Sequence, residues 1–207
     1  MKKLLVFAVA AMVAGAAMAQ DNWGFYDQDR SWIGINANGA ATPYGLWLNG
    51  ATGTAFDGAN LGTFDLALGS LVIASYDAKT WKSAGGDVTG IEYFYSVWET
   101  ASRSSGQFTS MGGTWIEDLG GGNQKWGNTN VNANVLANLS AGKDYTLEVY
   151  GQINGSGTPA SPIYDNNGGN NFRATFSTAA APIPEPATMG LLGLGAVALA
   201  LRRKMSK

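Results

Sequence analysis

The sequence predicts an all-β protein, an antiparallel β-sandwich of roughly seven to ten strands of the immunoglobulin-like or jelly-roll type. A barrel is the alternative closure. Three observations point there. Strand-length apolar or alternating runs recur between residues 31 and 178. Gly/Asn-rich connectors separate them, and such residues supply positive φ and side-chain-made turns. No stretch of that body sustains the 3.6-residue period of an amphipathic helix.

The expected strands follow in order. "SWIGIN" sets Trp32 and Gly34 against Ile33 and Ile35, and "YGLWLN" is apolar throughout. "GTFDLAL" sets Phe64, Leu66 and Leu68 against Asp65 and Ala67, and "SLVIASY" is a short run of buried type. "DVTGIEYFYSVWE" puts Ile91, Tyr93, Tyr95 and Val97 on one face and Glu92, Phe94, Ser96 and Trp98 on the other. "KDYTLEVYGQI" puts Tyr145, Leu147 and Val149 opposite Thr146, Glu148 and Tyr150. "NFRATFST" gathers Phe172, Ala174 and Phe176. The connectors read "NGATG", "SAGGD", "SSG", "LGGGNQ", "INGSG" and "DNNGGNN". No internal repeat is visible.

Composition narrows the function classes. The 207 residues fit one domain plus extras. Hydrophobic residues make up 45% and aromatics 11%, enough for a core, while charged residues reach only 14%. The chain contains no Cys and no His. Disulfides, thiol chemistry, Cys/His zinc sites and any imidazole-based triad are therefore excluded. The net charge of -2 hides an asymmetry, because Lys2, Lys3, Arg202, Arg203, Lys204 and Lys207 sit in the terminal segments. The middle keeps 7 basic against 14 acidic residues, a net charge of -7. An acidic middle argues against nucleic acid, which needs a basic footprint.

The two ends divide the chain into residues 1–19, 20–180 and 181–207. Lys2 and Lys3 precede an apolar stretch from Leu4 to Ala14, and Ala17-Met18-Ala19 forms an A-x-A site. That is the pattern of a signal peptide read by the export machinery, with cleavage before Gln20. The plainer alternative is an N-terminal anchor, which the short apolar stretch and the small-residue site disfavour. The other end carries Pro184-Glu185-Pro186, an apolar run from Ala187 to Leu201, and Arg202-Arg203-Lys204. A 15-residue helix at about 1.5 Å per residue spans roughly 22 Å, short of the roughly 30 Å hydrocarbon core. Gly190, Gly193 and Gly195 weaken it, and the basic cluster holds its end on the cytoplasmic side. Such a short transmembrane helix suits a pause in the membrane better than a permanent hold; a lasting single-span anchor is the plainer alternative.

In order, spacing and position this end resembles the PEP-CTERM sorting signal. The resemblance implies a Gram-negative bacterium and an exosortase, a membrane enzyme that cuts near the Pro-Glu-Pro and passes the protein onward. It implies an inner-membrane-tethered precursor, then a cell-surface or extracellular-matrix protein, in a setting of extracellular polysaccharide and biofilm. The body is also similar, through "KTWKSAGGDVTGIEYFYSVW", "LGGGNQKW", "LSAGKDYTLEVYG" and "YDNNGGNNFRATF", to a secreted bacterial β-sandwich module of large surface proteins, without an assigned activity.

Three kinds of site are conceivable in the body. A glycosidase needs two facing carboxylates. The pairs Asp27/Asp29, Glu92/Glu99 and Glu117/Asp118, and the isolated Asp65 and Glu148, show no catalytic spacing, so no catalytic residue is assigned. Calcium takes oxygen ligands, which Asp27 and Asp29, or Asp165 and Asn167, would offer, although the twelfth position from Asp165 is Phe176 rather than a bidentate Glu. Seven Trp residues invite a glycan-binding reading, because a pyranose stacks on an exposed ring. Trp126, beside the Gly-rich "LGGGNQ", and then Trp81, between Lys79 and Lys82, are the candidates; core packing is the plainer reading of both. The reading is an exported non-enzymatic structural or adhesive protein. The rivals are a carbohydrate-binding module and a carboxylate-dependent glycan-active enzyme.

Overall fold

Turn chemistry sets the strand boundaries of this chain, and two long strands organise the rest. A computed structural model describes residues 21–26, 31–47, 52–102, 106–160, 162–182, 191–194 and 202. The strands are β1 (Trp23–Phe25), β2 (Ser31–Ala37), β3 (Ala40–Gly45), β4 (Thr54–Ala55), β5 (Asn60–Phe64), β6 (Leu71–Lys82) and β7 (Asp87–Glu99). They continue as β8 (Thr109–Ser110), β9 (Thr114–Gly120), β10 (Asn123–Asn128), β11 (Ala133–Asn134), β12 (Asp144–Ser156), β13 (Ile163–Asp165) and β14 (Phe172–Thr178). Several have only two or three residues, so the described residues hold more strands than the sequence leads one to expect.

The first sheet runs β4-β3-β2-β6-β10-β9, with β1 and β11 also on β6. The second runs β5-β14-β12-β7-β8, with β13 also on β12. β6 and β12 are long enough to hold two partners on one edge: β2 then β1 along β6, and β14 then β13 along β12. The purely antiparallel expectation needs correction. β3 with β4, and β14 with β5, pair in parallel. The chain changes sheets between β4 and β5, so each lies beside a strand that no tight hairpin joins to it.

Two expected strands change their bounds. Asn38 (φ 51) and Gly39 (φ 85) form a two-residue turn between Ala37 and Ala40. This Asn-Gly hairpin starts β3 at Ala40; the strand ends at Gly45, so Tyr44 and Gly45 of "YGLWLN" lie in it while Leu46 and Trp47 do not. β5 stops at Phe64 because the Asp65 carboxylate accepts from the backbone N–H groups of Ala67 (2.7 Å) and Leu68 (3.2 Å). That Asp-made turn leaves Leu68 89% exposed instead of in the core.

The other expected faces are observed. Ile33 and Ile35 are buried while Trp32 and Gly34 are half-covered, and Phe172, Ala174 and Phe176 point inward. The core gathers Trp23, Phe25, Ile33, Ile35, Leu71, Ile73 and Tyr76 from the first sheet, and Ile91, Tyr93, Leu147, Val149, Ile153, Phe172 and Phe176 from the second. Gly151 and Gly155 lie under the rings of Tyr93 and Trp23, where any Cβ would overlap the ring.

A polar contact crosses this core. Asp165 of β13, 3% exposed, accepts from Tyr93 Oη of β7 at 3.1 Å and from Ser31 Oγ of β2. The Tyr93 ring lies 4.5 Å from that of Tyr76 on the facing sheet. Burial, then the Asp165 charge, lifts the Tyr93 phenol well above its ordinary value of 10.0.

Asp165→Ala would strand two buried hydroxyls and is expected to cost about 2–4 kcal/mol in urea unfolding; a loss under about 0.5 kcal/mol would contradict the role given to this contact. A second prediction concerns alkali. The folded state keeps the Tyr93 proton after the unfolded chain has begun to lose it near pH 10.0. The folded chain then binds more protons, so stability falls as pH rises above that value. Tyr93→Phe should flatten this alkaline slope, and an unchanged slope would be evidence against it.

Candidate functional site

The outer face of the first sheet, at the end where β1, β6, β9 and β10 meet, gathers aromatic, cationic and amide side chains. Register builds it. β1 pairs Gly24 with Trp81, and the Tyr26 N–H donates to the Lys79 carbonyl at 2.9 Å. β10 sets Asn123 beside Trp81 and Lys125 beside Lys79, and β9 sets Glu117 beside Lys125. β2 adds Trp32 beside Asp77. Strand alternation therefore yields parallel rows: Gly24, Trp81, Asn123; then Tyr26, Lys79, Lys125, Glu117; then Trp32 and Asp77.

Tyr26, Lys79, Leu119 and Asn123 line a cavity of about 300 Å³. Tyr26 and Leu119 are 39% and 42% exposed. The Trp81 indole lies over Gly24, the one residue without a Cβ to displace it: a Cβ there would sit 3.0 Å from Trp81 Nε1. Lys125 Nζ reaches Asp77 at 3.8 Å. Burial pushes the Asp77 carboxyl up, and Lys125 and then Lys79 pull it back down.

The structure thus places Trp81 half-buried over Gly24, in the row next to this cavity rather than in its wall, where the sequence suggested a surface ring. Trp126 needs correction. It lies on the inner face beside Ala78, is only 9% exposed, and its Nε1 donates to Gln124 Oε1 at 3.3 Å. The Gly-rich stretch next to it is not an open loop. Gly121 and Gly122 make the tight turn of the β9–β10 hairpin, and alternation from that turn sends Trp126 inward. The exposed ring is its cross-strand partner Trp115, at 51%.

Sequence reasoning missed Tyr26, Lys79, Leu119 and Asn123 as a group. A signal existed for part of it. "DAKTWK" continues the expected strand by six residues, and its period of two puts Asp77, Lys79 and Trp81 on one face.

The other candidates scatter. Asp165 turns its carboxylate into the core, while the Asn167 amide donates to Asp57 and to the Asn171 carbonyl. These two do not converge as a calcium loop requires, and "DNNGGNN" closes instead as a short 3₁₀ turn (Asn167–Gly169) capped by Asn166. Among the described residues, no three carboxylates gather as a metal site would need. Asp27 and Asp29 lie outside the described residues, as do Ala17, Ala19, Gln20, Pro184, Glu185, Pro186, Arg203 and Lys204.

The carboxylates weighed for catalysis are held locally. Glu92 accepts from Ser110 and Gln152, Glu99 from Lys143, and Asp118 from the Gly120 N–H. Glu148, 2% exposed, accepts through Oε1 from Arg173 and Asn171 on the outer face of the second sheet. On the same face Phe94 and Phe108 pack on Tyr150, so those rings are half-buried, while the neighbouring Tyr164 is exposed. A second cavity of about 280 Å³, lined by Asn60, Thr100, Asp144, Thr175, Phe176 and Ser177, lies near the exit of the last strand.

Residues 182–204 match the model of the PEP-CTERM protein-sorting motif. The match leaves the sandwich itself unassigned, and no curated protein matches the chain. The motif indicates an exosortase-dependent extracellular protein, held at the membrane as a precursor and processed there by that membrane enzyme. Residues 191–194 and Arg202 are helical, and no helix among the described residues is long and apolar enough to cross a membrane.

The two rings of the β9–β10 hairpin should separate in mutation. Trp126→Ala is expected to cost about 3–5 kcal/mol in thermal or urea unfolding, and Trp115→Ala less than about 1 kcal/mol. Equal losses would contradict the assignment of one ring to the core and the other to solvent.

Proposed function

We propose that this protein is a non-enzymatic structural or adhesive unit of an extracellular polysaccharide layer, delivered there by exosortase processing of a precursor. The observation that carries the reading is the sorting motif at residues 182–204, which begins just after β14 ends at Thr178. The cut removes a tail and leaves the sandwich whole. Three further facts support it. The chain has no Cys and no His. Among the described carboxylates weighed for catalysis, Glu92, Glu99, Asp118 and Glu148 each accept hydrogen bonds from neighbouring groups. The middle of the chain is acidic, which suits solubility outside the cell.

The roles within the tail follow from physics. A proline's fixed φ disfavours helix at itself and at the residue before it, which suits Pro184 and Pro186 to a stretch read by an enzyme. The short run holds the precursor in the membrane, and Arg202, Arg203 and Lys204 fix its orientation.

Replacing Pro184 and Glu185 together by Ala is expected to leave an uncut, membrane-held precursor on immunoblots of fractionated cells. Release at the normal level would sink the exosortase reading. Deleting residues 182–207 should free the body into the periplasm or medium, whereas persistent membrane association would mean that the sandwich itself holds the membrane.

A further inference from the structure

We infer that the groove on the outer face of the first sheet binds an acidic saccharide, a polymer of uronate-type sugars, with Tyr26 and Lys79 as its central contacts. The first argument is charge. Lys82, Lys125, Lys143 and Arg173 each have a carboxylate within 4 Å: Asp87, Asp77, Glu99 and Glu148. Among the described residues of the body, Lys79 is the basic side chain left without such a partner. In a chain whose middle carries a net charge of -7, an unmatched cation in a cavity wall is a place for an anion.

The second argument is the company Lys79 keeps. The exposed Tyr26 ring beside it gives a flat apolar surface, the kind on which the C–H face of a pyranose rests. Leu119 extends that apolar wall, and Asn123 supplies two amide donors and a carbonyl acceptor for hydroxyls. Trp81 borders the same rows. A ring, an amide and a cation together match a sugar bearing a carboxylate better than a simple anion, which needs no ring, or a neutral sugar, which needs no cation.

The third argument is size and selectivity. A cavity of about 300 Å³ lies at the lower end of ligand pockets, about 300–1,000 Å³. It suits one or two residues of a chain running across an open face. Glu117 ends the cationic row and Asp77 lies in the next one, and Lys125, between Lys79 and Glu117 in register, reaches Asp77. A polyanion is therefore repelled by most of the body and admitted at Lys79. That predicts binding which weakens with salt.

The inference deepens the extracellular reading and rests on it for access to such a polymer. Its test needs no sorting, so its failure leaves the immunoblot result standing. The full chain, purified in detergent, is titrated calorimetrically with hexagalacturonate and with the neutral cellohexaose. Saturable binding of hexagalacturonate is expected, stronger at low salt, with little or no heat from cellohexaose. Lys79→Gln and Tyr26→Ala should each weaken binding by about tenfold or more, which is about 1.4 kcal/mol. Lys79→Arg should retain binding, and Lys143→Gln, on the other sheet, should change nothing. Circular dichroism of each variant checks the fold. Absence of saturable heat overturns the proposal. So does equal affinity for the neutral oligomer, or an unchanged affinity in folded Lys79→Gln.

Discussion

The fold depends on one buried carboxylate shared between its two sheets. A sandwich without disulfides has to hold its layers in register through packing alone, and aliphatic packing is tolerant of small slips. Asp165 is not tolerant. It sits in the second sheet, accepts from Tyr93 of that sheet, and accepts from Ser31 of the first. Any displacement of the layers takes the buried Ser31 and Tyr93 hydroxyls away from their shared acceptor, which is costly. The same contact fixes Tyr93 against Tyr76, and Gly151 exists beneath Tyr93 because the ring leaves no room for a side chain. β13 has three residues and little area to bury, so its carboxylate gives it weight beyond its length.

With registration settled inside, the outer faces are free to differ. The second sheet partly covers its own: Phe94 and Phe108 pack on Tyr150, and Arg173 bridges Glu148 and the face of Trp98, while Tyr164 stays exposed. The first sheet leaves Tyr26 and Leu119 open around Lys79. This asymmetry separates two tasks within one small body. One face packs most of its rings on one another and leaves Tyr164 open, and the other sets an exposed ring beside a cation without a carboxylate partner among the described residues. The tail has a third task, which the body does not share.

Much of this was legible in the sequence. The long strands β6, β7, β12 and β14 announce themselves by alternation over several residues, and the tail by order and spacing. The parallel pairings were not legible, because β4 and β5 are short and their neighbours are chosen by the path of the chain between sheets. Leu68 was misplaced because Asp65 reads equally well as a polar strand position and as a turn-making cap. Trp126 was misplaced because glycines beside it looked like a loop; in a two-residue hairpin they set the register that buries it. The Asp165 contact was invisible, since its three members lie far apart in sequence and each is an ordinary turn or strand residue alone. The groove was half visible. Lys79 and Trp81 share a strand face by simple alternation, but Tyr26 and Asn123 join them only through pairing across three strands.

The central claim is that the sandwich is the whole of the delivered protein and the tail is only its passage. The intact mass of the protein recovered from the cell surface or medium tests it most directly. The account predicts a mass lacking residues 1–19 at one end and the apolar run with Arg202, Arg203 and Lys204 at the other, with the body through Thr178 retained. A recovered chain that still carries the apolar run and its basic end would contradict it, and would make the tail a lasting anchor.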